Sequence, residues 1–397
     1  MPPSYRTLAN VPSIVFLLGA ASFVVVAVMT VTGPLLPLIA HDFGTSVGAA
    51  GIVVSAFAVP YGAFQIVFGP LGDRAGKLRV VAGALTVSTV FVLGSGMTGS
   101  LEGLAVMRFL CGAAMAGTVP LAMAYIADEV PYASRQLVIG RFLNGLVLGQ
   151  IGGGCLGGLV AEYLQWRQVF YLFALCCAVV AAALWVSAAR QPPAKLSQQR
   201  SLSDILAIYW AVLRASRSRA VVITGTLEGV FIFGVVAFYG AYLRQRFALG
   251  YAMIGAVLSM YGVGGMAYSA LVRPIIARLG ERRMVVVGTA LLGASYLILP
   301  LLTVWWLTPP LLFLAGFGFY TFHNTMQTQA TELDPNARGT ALALWVFMMF
   351  LGQGVGVVLF GMVIDSGGYG VAFSLAGTGV LTLGLWFQRR LAKGGRV

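Results

Sequence analysis

Long apolar stretches alternate with short polar breaks about twelve times along the chain. A helix rises about 1.5 Å per residue and the hydrocarbon of a bilayer is about 30 Å thick, so about 20 mostly apolar residues cross it. The stretches fall at 13–38, 49–70, 79–98, 102–124, 137–161, 168–189, 220–243, 251–273, 284–303, 309–331, 339–363 and 370–388. Each predicts a spanning helix, because a helix satisfies its backbone hydrogen bonds within one segment. The pattern therefore predicts an all-α membrane protein with twelve transmembrane helices.

Composition agrees. Charged residues make up 9% and apolar types 59% of 397 residues, whereas a soluble domain is about a quarter charged. Twelve spans leave no room for a large soluble domain. Ser13 to Leu38 is too long and uniform for a signal peptide and is expected to be a retained helix. The longest polar break, Gln191 to Arg219, holds Pro192 and Pro193 and then a basic, partly apolar stretch around Leu202 to Leu213. It is expected to be a linker (191–219) with a short helix on the membrane surface. It would separate a six-helix bundle at 1–190 from another at 220–397.

The net charge of +13 would suggest nucleic acid in a soluble protein, but its distribution points elsewhere. Arg74, Lys77 and Arg79 fall in one break, and Arg135 follows span four. Arg190, Lys195, Arg200, Arg214, Arg217 and Arg219 follow span six. Arg278, Arg282, Arg283 and Arg338 occupy later alternate breaks, and Arg389, Arg390, Lys393 and Arg396 close the chain. The opposite breaks hold little beyond Arg167, Arg244 and Arg246. That asymmetry is the positive-inside pattern. It predicts both termini in the cytoplasm and a multi-pass protein of the cell inner membrane, with no nucleic-acid partner.

The halves also repeat. Arg74-Ala-Gly76-Lys77-Leu-Arg79 and Arg278-Leu-Gly280-Glu-Arg-Arg283 share one frame after the second and eighth spans. Two related six-span halves around a midplane cavity is a carrier architecture.

The Gly69 to Arg79 segment resembles the signature loop of the major facilitator superfamily, through Gly69, Gly72, Asp73, Arg74, Gly76, Lys77 and Arg79. The resemblance implies a loop that latches the halves in one state of the transport cycle. Ala277 replaces the acid in the second-half copy, so a latch there is weaker or absent. Arg108, Gly112, Ala113, Ala114 and Gly117 resemble the family's span-four motif, in which the arginine is implicated in proton coupling; Cys111 stands where glutamine is common. Gly145, Gly149, Gly153 and Gly154, with Gly157 and Gly158, resemble the glycine-rich fifth span of the twelve-span drug–proton antiporters, with Gln150 in place of its proline. Such glycines permit close helix packing, expected here at the seam between halves. Trp166, Arg167 and Phe170 read as an outer-interface anchor and His41-Asp42 as an interface cap.

Ionisable groups inside a membrane are functional candidates by default. Here they are Arg108, Glu228 and His323. By the family's pattern, spans one, four, seven and ten line the cavity. Glu228 and His323 sit about nine and eight residues from the basic ends of their spans, so both lie about 12–14 Å deep. A carboxyl and an imidazole at one level suit proton uptake and release. Glu228 is the expected main proton site, with His323 as partner. Span one carries no acid, unlike many proton antiporters of the family. Polar and aromatic candidates for the substrate are Tyr61, Gln65, Asn144, Phe231, Tyr239, Tyr261, Tyr320, Asn324, Gln327 and Gln353, a lining suited to an amphipathic organic solute. Tyr125, Gln150, Phe57, Phe238 and Trp345 are further lining candidates.

The chain has no Gly-x-x-x-x-Gly-Lys-Ser/Thr loop, which argues against direct ATP drive. Two histidines and Cys111, Cys155, Cys176 and Cys177 show no metal-ligand spacing. The expectation is a monomeric, non-enzymatic secondary transporter without cofactor or metal, moving a small organic solute against protons. Import by symport or facilitated diffusion is the alternative.

Overall fold

The computed structural model describes residues 5–191, 202–334 and 337–393. Pro192, Pro193, Lys195, Arg200 and Arg396 lie outside them. Among the described residues the chain is helical, with nine segments long and apolar enough to cross a membrane. Two of those segments are double. Tyr251–Leu301 and Arg338–Leu391 would each be over 70 Å long as single helices, more than twice the hydrocarbon thickness. Gly280 at φ 65° and Gly368 at φ 80° interrupt them. A left-handed residue reverses the chain there, and glycine alone takes it without a Cβ clash.

Span 1 comprises Tyr5–Thr30 and Thr32–Asp42. Spans 2 to 4 are Val47–Ala75, Lys77–Met97 and Leu101–Glu129. Spans 5 and 6 are Tyr132–Tyr163 and Trp166–Ala189. A surface helix, Leu202–Arg214, precedes span 7, Ser216–Phe247. Spans 8 and 9 flank Gly280, and spans 11 and 12 flank Gly368. Span 10 is Thr308–Thr331. It falls outside the nine apolar segments because its second half carries His323, Asn324, Gln327 and Gln329. With the two double segments divided and span 10 added, twelve spans form two six-helix bundles.

Glycine decides how closely the helices approach. Cβ atoms on Gly145, Gly149 and Gly153 would overlap the backbone of Gly19, Phe23 and Ala27. These three glycines therefore seat span 5 on span 1 of its own bundle, not on the seam between halves as expected. Successive glycines four apart line one helical face, and that face turns inward. Gly154 and Gly158 lie on another face and do meet the second half, at Gly255 and Tyr251. Gly112 and Gly117 seat span 4 against Phe57 and Phe68 of span 2.

The surface helix packs Ile208, Tyr209, Val212 and Leu213 against Val222, Leu344 and Phe347. Leu206 and Trp210 remain exposed, and Arg214 lies 4.8 Å from the Trp210 ring centroid.

Candidate functional site

Glu228 ends the first helical segment of span 7, and a π-turn, Gly229–Phe233, follows at once. Single π-turns insert an extra residue and cluster at functional positions. Gly229 opens this turn and Gly234 follows it, both against span 11, where a Cβ would strike Met349 or Gly356. The Glu228 side chain is fully buried, and its Oε1 lies 2.5 Å from Nδ1 of His323. The equal-depth expectation for these residues is thus realised as direct contact between spans 7 and 10.

Aromatic rings hold the pair. The imidazole stacks on Phe319, centroids 5.0 Å apart at 24°, one helical turn earlier on span 10. Trp345 of span 11 lies 5.6 Å from the imidazole, tilted by 40°. Its indole fits because residue 225 is glycine, where a Cβ would overlap the ring. Tyr261 of span 8 tilts against Phe319 at 5.6 Å. Glu228 Oε2, Tyr261 Oη and Trp345 Nε1 are all buried without a hydrogen-bond partner among the described residues. One acceptor, one hydroxyl and one donor thus remain unused around a buried acid. Each such group costs about 1–3 kcal/mol if left unpaired.

Phe319 was not among the sequence candidates, although its spacing of four from His323 places both on one helix face. Tyr320, its neighbour, donates to Oε1 of Gln150 at 2.8 Å and so joins span 10 to span 5 across the halves.

The other candidates separate. Arg108 is buried at 1% exposure. It donates to the carbonyls of Val28 at 2.9 Å and Val53 at 3.4 Å and lies 4.3 Å over Phe57. Those partners belong to spans 1 and 2, so the structure does not bring Arg108 to Glu228 and His323. Tyr239 packs between Tyr296 and Phe373 in the core of the second half, and Phe231 faces Gly379 of span 12; neither is brought to the pair. Asn144 lines a cavity of about 530 Å³ between spans 1 and 5, with Arg141, Phe16 and Phe23. That lining excludes the pair. Tyr61 stacks on Phe57 and meets Phe350 of span 11 edge-on at 4.9 Å. Gln353 is nearly buried beside Gly229. Asn324 lies beside Tyr268, Gln65 is half-buried, and Gln327 is exposed.

The signature loop is engaged within its own half. Lys77 pairs with Asp128 of span 4 and lies 3.6 Å from Asp73. Gly76, at φ 90°, makes the turn. Gly69 faces open space. Contacts that do join the halves cluster away from this basic end. They include Ser55 Oγ to the Gly354 carbonyl at 2.9 Å, Gly33 beside Ala237, Gly48 against Gly361, Gly62 against Phe350, and Gly158 against Tyr251. These contacts close the crevice between the bundles at the end with few charges. Near the closed end, Arg167 pairs with Asp42 at 2.5 Å and lies 4.4 Å over Trp166, anchoring the turn between spans 5 and 6.

Comparison with known proteins is consistent throughout. The model of the Major Facilitator Superfamily matches residues 18–340 and 254–396. The uncharacterized MFS-type transporter YceJ of Bacillus subtilis (strain 168) is 27% identical over 361 residues, covering 89% of this chain and 88% of its own. The putative uncharacterized transporter YgaY of Escherichia coli (strain K12) is 26% identical, with 95% of each covered. Among solved structures, the nucleoside transporter NupG superposes with a TM-score of 0.77 at 12% identity, covering 95% of this chain and 98% of that one. A D-xylose-proton symporter does so with 0.72 at 16%, covering 95% and 97%. At those identities the likeness shows the fold.

Proposed function

Since this chain belongs to the Major Facilitator Superfamily and is a transporter of that family, we propose that it is a proton-coupled exporter of small amphipathic organic solutes, with Glu228 and His323 as the proton site. The observation that carries this reading is the buried 2.5 Å contact between Glu228 and His323. At that separation a proton must lie between Nδ1 and Oε1, because two lone pairs would repel. Losing one proton from the doubly protonated pair leaves a neutral Nδ1–H donating to the carboxylate, a weaker bond than the charge-assisted one, and so loosens the hold of span 7 on span 10. Gaining it draws spans 7 and 10 together. A proton can thus bias two arrangements of the second half, which is what coupling to alternating access requires.

Arg108 takes no proton in this scheme; it ties spans 1, 2 and 4 into a rigid first half. Tyr261, Tyr320, Asn324 and Gln353 supply polar contacts near the pair, and Phe319 and Trp345 supply apolar area, a combination suited to a solute with an aromatic body and a few polar groups. Tyr61, Gln65 and Gln327 belong to the surroundings of the crevice. With the basic loops in the cytoplasm, the arrangement is closed on the outer side, and the surface helix rests Leu206 and Trp210 in the cytoplasmic interface.

Inverted membrane vesicles test the proposal. A respiration-driven pH gradient is followed with a quenched acridine dye while a panel of lipophilic aromatic compounds is added. Transported compounds should relieve quenching with the native protein and not with Glu228→Gln, at equal expression. Undiminished relief by Glu228→Gln would overturn the proton site. Alkalinisation of lightly buffered medium when a solute enters intact cells would instead support symport, the coupling named for the D-xylose-proton symporter.

A further inference from the structure

Two carboxylates close the crevice from opposite halves. Asp365, at the end of span 11, accepts from Ser46 Oγ at 2.6 Å and from the Gly48 amide at 3.1 Å. Ser46 is the N-cap of span 2, its Oγ also accepting from Ala49 N at 3.0 Å. Glu162, at the end of span 5, accepts from the amide of Tyr251 and, at 3.4 Å, from that of Ala252. These are the first amides of span 8, which lack partners within their own helix. In the repeat that relates spans 1–6 to 7–12, span 5 corresponds to span 11 and span 2 to span 8. The two contacts are therefore one device used twice, each half clasping the helix start of the other.

The chemistry is matched. A helix N-terminus carries about half a positive charge and free N–H donors, and a carboxylate satisfies both. The backbones come close enough to permit it, because Gly48 meets Gly361 and Gly158 meets Tyr251 without side chains between them. Both clasps exist only while this end is shut. Opening it separates span 2 from span 11 and span 5 from span 8, and returns every one of these groups to water.

We propose that Glu162 and Asp365 are the residues that set the balance between the two access states, by holding the weakly charged end closed. Each clasp favours the closed arrangement about tenfold, within the range of hydrogen bonds to a charged group, and the two together about a hundredfold, since they share no partner. This inference stands apart from proton coupling: it concerns the equilibrium between states, whatever drives it.

The test is a distance measurement needing neither substrate nor gradient. In a background with the four cysteines replaced by alanine, Gly99→Cys and Thr303→Cys place spin labels on exposed turns of opposite halves at the closed end. Pulsed electron resonance on the purified protein should give a mainly short distance. Asp365→Asn or Glu162→Gln should raise a longer population, and the double substitution should make it a major one. Ser46→Ala, which removes one bond and keeps the charge, should move the distribution less in the same direction. Gel filtration confirms folding of each variant. An unchanged distribution in the folded double variant, or in folded single variants if the double fails to fold, would overturn the proposal.

Discussion

The bond between Glu228 and His323 can be weighed directly. Both partners are substituted to preserve size, Glu228→Gln and His323→Gln, singly and together, and unfolding free energies are measured by detergent titration in mixed micelles. The single effects can take either sign, because each removes a contact and also relieves the burial of an ionisable group. The coupling term of the cycle decides. Hydrogen bonds inside a membrane protein average about 0.6 kcal/mol in such cycles and reach about 1.7. A bond to a charged group contributes about 1.5–3 kcal/mol. Full burial of the carboxylate and a 2.5 Å separation place this pair in the second range, so a coupling of about 2 kcal/mol is expected near neutral pH. Stacking of residue 323 on Phe319 enters both arms of the cycle and cancels. Additivity within about 0.5 kcal/mol would refute a hydrogen bond between the two side chains.

Three further outcomes follow from named contacts. Gly225→Ala should destabilise the fold by about 1–3 kcal/mol through overlap with the Trp345 indole, and should shift tryptophan fluorescence as the ring is displaced; an unperturbed emission spectrum would count against that seat. Arg108→Met should change unfolding free energy by about 1 kcal/mol or less, because lost bonds to Val28 and Val53 oppose relief of a buried charge. It should also leave proton-linked dye responses intact, and their loss would place Arg108 in the proton path. Gly158→Leu, which sets a side chain against Tyr251 at the seam, should favour opening of the weakly charged end, read as a larger long-distance population between spin labels at Gly99→Cys and Thr303→Cys.

Much of the architecture is written in one dimension. Hydropathy marks where a chain can sit in hydrocarbon, and the count of apolar stretches carries directly into spans, including those hidden where Gly280 and Gly368 join two helices. The asymmetry of arginine and lysine follows from the same linear order. Depth is linear too: counting residues inward from the basic loops placed Glu228 and His323 at one level, and they touch.

Rotation about a helix axis and the choice of neighbour were decided only in three dimensions. Tyr239 and Tyr261 are both span tyrosines in the sequence, yet one stacks in the core on Phe373 and the other lies against Phe319, the ring that carries His323. The glycines of span 5 differ by one position, Gly153 against span 1 and Gly154 against span 8, because about 100° of helix separates them. Arg108 reads like the other buried ionisable groups until its partners are seen to be carbonyls of its own half. Glu162 and Asp365 carry no local signal at all, since each acts on helix ends 89 and 317 residues away. A one-dimensional pattern records how oily each stretch is; which face meets which neighbour depends on packing among all twelve helices at once.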